Sequence, residues 1–184
     1  MINAIKQDLR AMMNGVASAA MRNAGMNADY RVNFGVELPR LQEYADELRD
    51  EHADNVSSLA QALWHESVRE CRLLALMLYP ASQMDADLAD IWLGDIHSVE
   101  LVQMASLLLF SRMPKASESA FRWMAADDEL QQMAGYYTIG HLLRTTTLNE
   151  RSVQELRDQA DAALASANPQ LRLAAQRALA RLES

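Results

Sequence analysis

The side chains able to ligate a metal or move a proton near neutral pH are few and scattered. Four histidines, His52, His65, His97 and His141, share no His-x-x-x-His spacing, and Cys71 is the one cysteine. Zinc sites draw ligands from short repeated intervals, so these residues predict no metal. His97, beside Asp95 and Ser98, has neighbours that could tune an acid–base group, but the same trio suits a junction between helices. Asp85, Asp87 and Asp90 imitate the alternate acids of a calcium loop. They lack its glycine and distal glutamate, and read instead as an acidic helix start. No Gly-rich phosphate loop, nucleophile elbow or dinucleotide fingerprint occurs, so no organic cofactor is expected either.

Groups that could hold an anionic partner are nearly all arginine: of 17 Lys+Arg residues, only Lys6 and Lys115 are lysine. Against 25 acids they leave a net charge of −8, the wrong sign for a chain living chiefly by its grip on phosphate. Residues 61–120 hold Arg69, Arg72, Arg112 and Lys115 against eight acids. The basic concentration is C-terminal, in Arg144, Arg151, Arg157, Arg172, Arg177 and Arg181. Arg177 and Arg181 share one helical face near a C-terminal end, where cations are favoured in any case. Trp64, Trp92 and Trp123 each stand near the end of an amphipathic run and suit packing; Trp123 is the one expected to face a ligand. Gly135 and Gly140 flank Tyr136 and Tyr137, and each costs about 1 kcal/mol in a helix relative to alanine. Close helix contact, a kink or the approach of a partner would have to offset them.

The elements that position these residues are legible from periodicity. Leu41, Tyr44, Ala45 and Leu48 form one apolar face; Val56, Leu59, Ala60 and Leu63 form the next. Val68, Cys71, Ala75 and Leu78 make a third, with Leu73, Leu74, Leu76 and Met77 opposite, so this helix should be central. Later stripes run through Leu101, Met104, Ala105 and Leu108, through Val153, Leu156, Ala160 and Leu164, and through Leu171, Ala174, Ala175 and Ala178. No segment alternates with the two-residue period of a strand. Pro39, Pro80, Pro114 and Pro169 fall between the runs, where a missing amide hydrogen does little harm.

Start signals agree. Asn168-Pro169 pairs a cap with proline at the first helical position, and Ser67 to Glu70 fits a capping box. Asp54, Asp85, Ser98, Asp127 and Asn149 are weaker starts, and Gly94 is placed to stop a helix.

The expectation is an all-α chain, one domain over residues 1–184. Helix pairs recurring at about 30 to 40 residues suit a two-helix solenoid repeat, with a compact bundle as the alternative. Cys71 should be a small buried apolar residue. The N-terminus lacks a signal-peptide pattern, and the longest apolar run, Leu73 to Tyr79, is far short of the roughly 20 residues a membrane helix needs. The expected compartment is the cytoplasm, with no membrane partner.

Two stretches resemble a known family. Asn33-Phe34-Gly35-Val36-Glu37-Leu38-Pro39-Arg40-Leu41, followed by Tyr44-Ala45-Asp46-Glu47-Leu48, is similar to the opening segment of bacterial DNA alkylation repair glycosylases of the AlkD type. Leu63-Trp64-His65-Glu66-Ser67, with Arg69-Glu70-Cys71-Arg72-Leu73-Leu74-Ala75, resembles that family's next signature, and the similarity runs from about residue 20 to 184. The resemblance implies a curved stack of HEAT-like helical pairs whose basic concave face holds duplex DNA. It also implies release of N-alkylated purines such as 3-methyladenine and 7-methylguanine without metal. In that chemistry an aspartate stabilises the cationic sugar, and tryptophans grip the lesion's backbone.

The family's Trp-Asp-Leu-Val-Asp start corresponds here to Val99-Glu100-Leu101-Val102-Gln103. Tryptophan has become Val99 and the catalytic aspartate Gln103; an amide has no charge with which to steady a cation. Glu100 is the one acid left nearby, on a different helical face. Where the family carries arginines on later repeats, this chain reads Gln131-Gln132-Met133-Ala134-Gly135.

The sequence thus reads as a non-catalytic HEAT-like binding module for nucleic acid (duplex DNA, weakly) or for a protein. Its expected surface comprises Trp123, Gln132, Arg144, Arg172, Arg177 and Arg181. Two alternatives stand beside it: an active alkylpurine DNA glycosylase using Glu100, and a protein–protein scaffold with no nucleic-acid role.

Overall fold

The structure is a computed structural model and describes residues 1–26 and 28–183. Among these the regular elements are all helices, the one extended pairing being an isolated parallel bridge between Val32 and Val68. Two compact units divide it, Met1–Pro80 and Ala81–Ser184. No helix among the described residues is long and apolar enough to cross a membrane.

The first unit contains α1 (Ile2–Ala11), α2 (Gly15–Asn23), α3 (Leu38–Glu51), α4 (Val56–Trp64) and α5 (Arg69–Leu78). Helices α3 and α4 both pack on α5, whose Cys71, Leu73, Leu74, Ala75, Leu76 and Leu78 are all buried. The apolar character read on both sides of this helix is therefore spent on core. Burial pushes the Cys71 thiol up to about 12, so it behaves as a small apolar side chain.

The capping box expected at Ser67 to Glu70 is not what forms. Val68 is the N-cap, and Glu70, with 0% exposure, turns away from its own helix. Its carboxylate accepts from the backbone N–H groups of Phe34 (3.1 Å), Gly35 (2.9 Å) and Val36 (3.2 Å). Ser67 supplies its carbonyl to the amides of Arg31 and Val32, and the Arg69 amide donates back to Val32. A buried carboxylate needs such donors, and a loop with no helix or strand of its own needs acceptors. Gly35 adopts φ +71°, and a Cβ there would clash with the Asn14 carbonyl and the Ser18 amide, so only glycine lets the loop seat on α2. The two stretches that resemble the repair glycosylases are thus each other's binding partners.

The second unit contains α6 (Ala86–Gly94), α7 (Val99–Leu108), α8 (Ala116–Met124), α9 (Glu129–Leu142), α10 (Glu150–Leu164) and α11 (Pro169–Leu182). Side-chain caps begin five of them. Asp85 accepts from the Leu88 amide, Ser98 from Leu101, Asp128 from Gln131, Asn149 from Ser152, and Asn168 from Gln170 and Leu171. Asp128 replaces the expected Asp127, and Asp54 falls in the 3-10 turn Ala53–Asn55, where it caps nothing. Helix α9 is the hub: α7, α8 and α11 all pack on it, and residues 133–139 are buried without interruption. Gly135 permits the closest of these contacts, since a Cβ there would lie 2.5 Å from the Ala120 carbonyl oxygen and 2.8 Å from the Met124 amide nitrogen. Helix contact, one of the open explanations for this glycine, is the one the packing supplies.

Candidate nucleic-acid interface

Three helices of the second unit leave a cleft of about 570 Å3 between them. Helix α7 contributes Gln103, Met104 and Leu107, three positions that fall on one face. From α9 come Tyr137 and His141, a turn apart, with Arg144 one further turn along and just past the helix end. Helix α11 contributes Arg177, Ala178 and Arg181, again with the spacing of one face. The space exists because the facing positions are small. Gly140 has only the Cα of Ala178 near where its Cβ would stand, at 3.8 Å, which is ordinary contact. Gly140 is thus not required by packing as Gly135 is, and its missing side chain keeps the cleft open.

The electrostatics of this cleft run against the chain's overall sign. Arg144, Arg177 and Arg181 line it with His141, and among the described lining residues none carries a carboxylate. All three arginines are exposed. His141 is held below the ordinary histidine range, first by burial, then by the charges of Arg144, Arg181 and Arg112. It is therefore neutral at pH 7, while the guanidinium groups stay charged. Tyr136, at the floor, has its hydroxyl pushed up to about 12 by burial alone and is neutral as well. A site with three cations, a neutral imidazole and no acid attracts anions.

In the cleft lining, the Gln103 amide nitrogen donates to the Tyr137 hydroxyl at 3.0 Å. The residue that replaces the expected catalytic aspartate is thus held within the arginine cleft. Val99 begins α7 one turn earlier, half-buried and outside the cleft lining, and Glu100 in the same first turn does not line it either.

The profile of the family described as DNA alkylation repair enzyme matches residues 5–182. The chain belongs to the DNA alkylation repair enzyme family. A solved structure from "a new family of proteins related to the HEAT-like repeat DNA glycosylases with affinity for branched DNA structures" superposes on this family member with a TM-score of 0.78. The two are 16% identical, and the match covers 98% of this chain and 74% of the other. The likeness fixes the fold as the all-α, HEAT-like helical-repeat architecture. No curated protein matches the chain.

Within this DNA alkylation repair family member, the expected surface residues separate. Arg144, Arg177 and Arg181 meet in one cleft. Trp123 does not face a ligand. It is 3% exposed, its ring packs 5.0 Å from that of Phe110, and its indole N–H donates to Asp90 at 2.7 Å. Trp64 and Trp92 are buried too, so none of the three tryptophans offers a face to a partner. Gln132 lies in a separate cavity of about 490 Å3 beside Glu129 and Gln159, its amide donating to the Ala126 carbonyl. Arg172 turns back on its own chain, donating to the carbonyls of Ser166 (2.7 Å) and Ala167 (3.0 Å). That geometry satisfies carbonyls of the turn between α10 and α11 and commits the guanidinium to structure.

Two residues of the cleft escaped the sequence reading. In the sequence, Tyr137 stands out only for its flanking glycines, and His141 only as a possible metal ligand. A signal was present: 137, 141 and 144 recur at the interval of one helical face, and Arg144 was already noted. Among the described residues, no group of three or more His, Cys, Asp or Glu side chains could hold a metal.

Proposed function

We propose that this protein is a non-catalytic member of its family that binds DNA by its phosphates through the α7–α9–α11 cleft. The observation carrying the reading is the composition of that cleft: Arg144, Arg177 and Arg181, no carboxylate, and an amide at Gln103 where the resemblance calls for the catalytic aspartate. On a chain of net charge −8, three arginines gathered without an acid among them are a segregated patch rather than average surface. Such a patch suits phosphate, because guanidinium presents paired N–H donors to phosphate oxygens and keeps its charge at all physiological pH. The structural neighbour's affinity for branched DNA makes branched substrates the natural first probes. The protein would work in the cytoplasm, where DNA and its damage are both at hand.

The test has two arms. Labelled duplex and four-way-junction DNA are titrated with wild type and with the R144E/R177E/R181E variant, and methylated DNA is assayed for released 7-methylguanine. Salt-sensitive binding that the variant loses, with no base release, is the expected result. Release of 7-methylguanine would make the protein a glycosylase and overturn the non-catalytic reading. Binding to no DNA at any salt concentration would leave a protein scaffold.

A further inference from the structure

The arginine cleft is more than a charged patch, because apolar and small residues line it beside the arginines. Phosphate alone needs only the rim. Beneath the arginines lie Met104, Leu107, Gly140 and Ala178, a floor with no charge, and at its edge the Gln103 amide. About 570 Å3 falls within the roughly 300–1,000 Å3 range of clefts that take a small molecule rather than a flat backbone. Gly140 is informative here. Its helix would be more stable with alanine, and the nearest atom to an added Cβ is 3.8 Å away, so packing does not explain the glycine. Bare backbone at that point does let a flat group lie against the helix.

The polar group at the edge is disposed to read such a flat group. Gln103 gives one N–H to the Tyr137 hydroxyl, leaving its carbonyl oxygen and a second N–H on the same planar amide. A donor and an acceptor on one planar amide suit the hydrogen-bonding edge of a nucleobase. Resting on the phosphate-binding reading above, we propose that the cleft captures a single unpaired nucleotide. Its base lies on the Met104, Leu107, Gly140 and Ala178 floor and bonds the Gln103 amide, while Arg144, Arg177 and Arg181 hold the flanking phosphates. A base already unpaired, as at a bulge, gap or branch, enters without the cost of leaving a stack. Unpaired bases also expose the edge that paired ones conceal.

The test compares two DNA duplexes that differ in one atom group. One carries a single-nucleotide bulge with its base, the other the same bulge as an abasic analogue, so phosphate count and backbone bend are matched. Wild type is expected to bind the base-bearing bulge about tenfold more tightly, the magnitude one good base contact confers. With 2-aminopurine as the bulged base, its fluorescence should change on binding as it leaves the duplex for the cleft. Two variants, Gly140→Leu, which fills the floor, and Gln103→Leu, which removes the reading amide, should each bring the base-to-abasic ratio toward one. Because the readout is a ratio within each variant, a general loss of affinity does not mimic it, and the second variant serves if the first fails to fold. Equal wild-type affinity for both bulges, or a ratio unchanged in both variants, overturns base capture while leaving phosphate binding intact. Absence of binding to every DNA overturns both.

Discussion

Salt dependence measures how many of the three arginines meet phosphate, and the structure sets the number. If Arg144, Arg177 and Arg181 each neutralise one phosphate of duplex DNA, the logarithm of affinity should fall against the logarithm of salt with a slope of about −2.7. Raising salt fourfold, from about 50 to about 200 mM, then weakens binding about 40-fold. Replacing one arginine by glutamine should reduce the slope by about 0.9, so the same fourfold change costs about 3.5-fold less. Fluorescence anisotropy of a labelled duplex across five salt concentrations resolves such differences. Arg172→Gln is the internal control: its guanidinium is held by two carbonyls outside the cleft, and its loss should leave the slope unchanged. A wild-type slope near zero, or an Arg172 variant that lowers the slope as much as the cleft variants do, would refute the assignment of phosphate to this cleft.

Four further outcomes follow from the packing. Glu70→Ala leaves the Phe34 and Val36 amides without their acceptor and the Gly35 amide with Asn33 Oδ1 alone, and should cost about 3–5 kcal/mol in urea denaturation, as when one partner of a buried charged network is removed; a loss under about 1 kcal/mol would deny the carboxylate its role. Gly135→Ala and Gly140→Ala should move stability in opposite directions, the first down by about 1–3 kcal/mol from overpacking against α8, the second up by as much as about 1 kcal/mol; equal effects would be incompatible with the two environments. His141 is disfavoured as a cation by burial and by Arg144, Arg181 and Arg112, so the unfolded chain takes up its proton first as pH falls below the ordinary 6.5. Stability should decline as pH falls through the ordinary histidine range around 6.5, and His141→Gln should shrink that decline, read as the shift in urea midpoint. Gln103→Asp should weaken duplex binding and flatten the salt slope by about one phosphate's worth, because the new carboxylate pairs with an arginine of the cleft.

Helix starts were legible because their chemistry is local. Asp85, Ser98, Asn149 and Asn168 each bond an amide two or three residues ahead, and a reader of sequence sees donor and acceptor together. The same local habit misassigned Glu70. Its spacing from Ser67 mimics a capping box, but its partners lie more than thirty residues earlier, and nothing in the local pattern records them. Trp123 misled for a related reason. An aromatic near a helix end can face a ligand or a neighbouring helix, and what settles it is Asp90, thirty-three positions away, which accepts its indole N–H. The arginines were half legible. Arg177 and Arg181 share a face by arithmetic, whereas their meeting with Arg144 and Gln103 depends on α7 and α11 both packing on α9.

On the proposed reading, an amide at Gln103 where the resemblance calls for an aspartate has a consequence for binding as well as for chemistry. A carboxylate set among guanidinium groups pairs with one of them and lowers the field that the rest present to phosphate. An enzyme tolerates that loss, because it needs the anion for the cationic sugar of its transition state. A protein that only holds DNA has no such need. With an amide in place of the acid, the described lining residues set no carboxylate against the three cleft arginines, and the neutral, burial-depressed His141 adds no competing demand for an anion. On the proposed reading, the loss that ends glycosylase chemistry and the gain that favours phosphate arise at one position. An acidic chain can then afford a DNA site, because its negative charge lies outside the cleft lining.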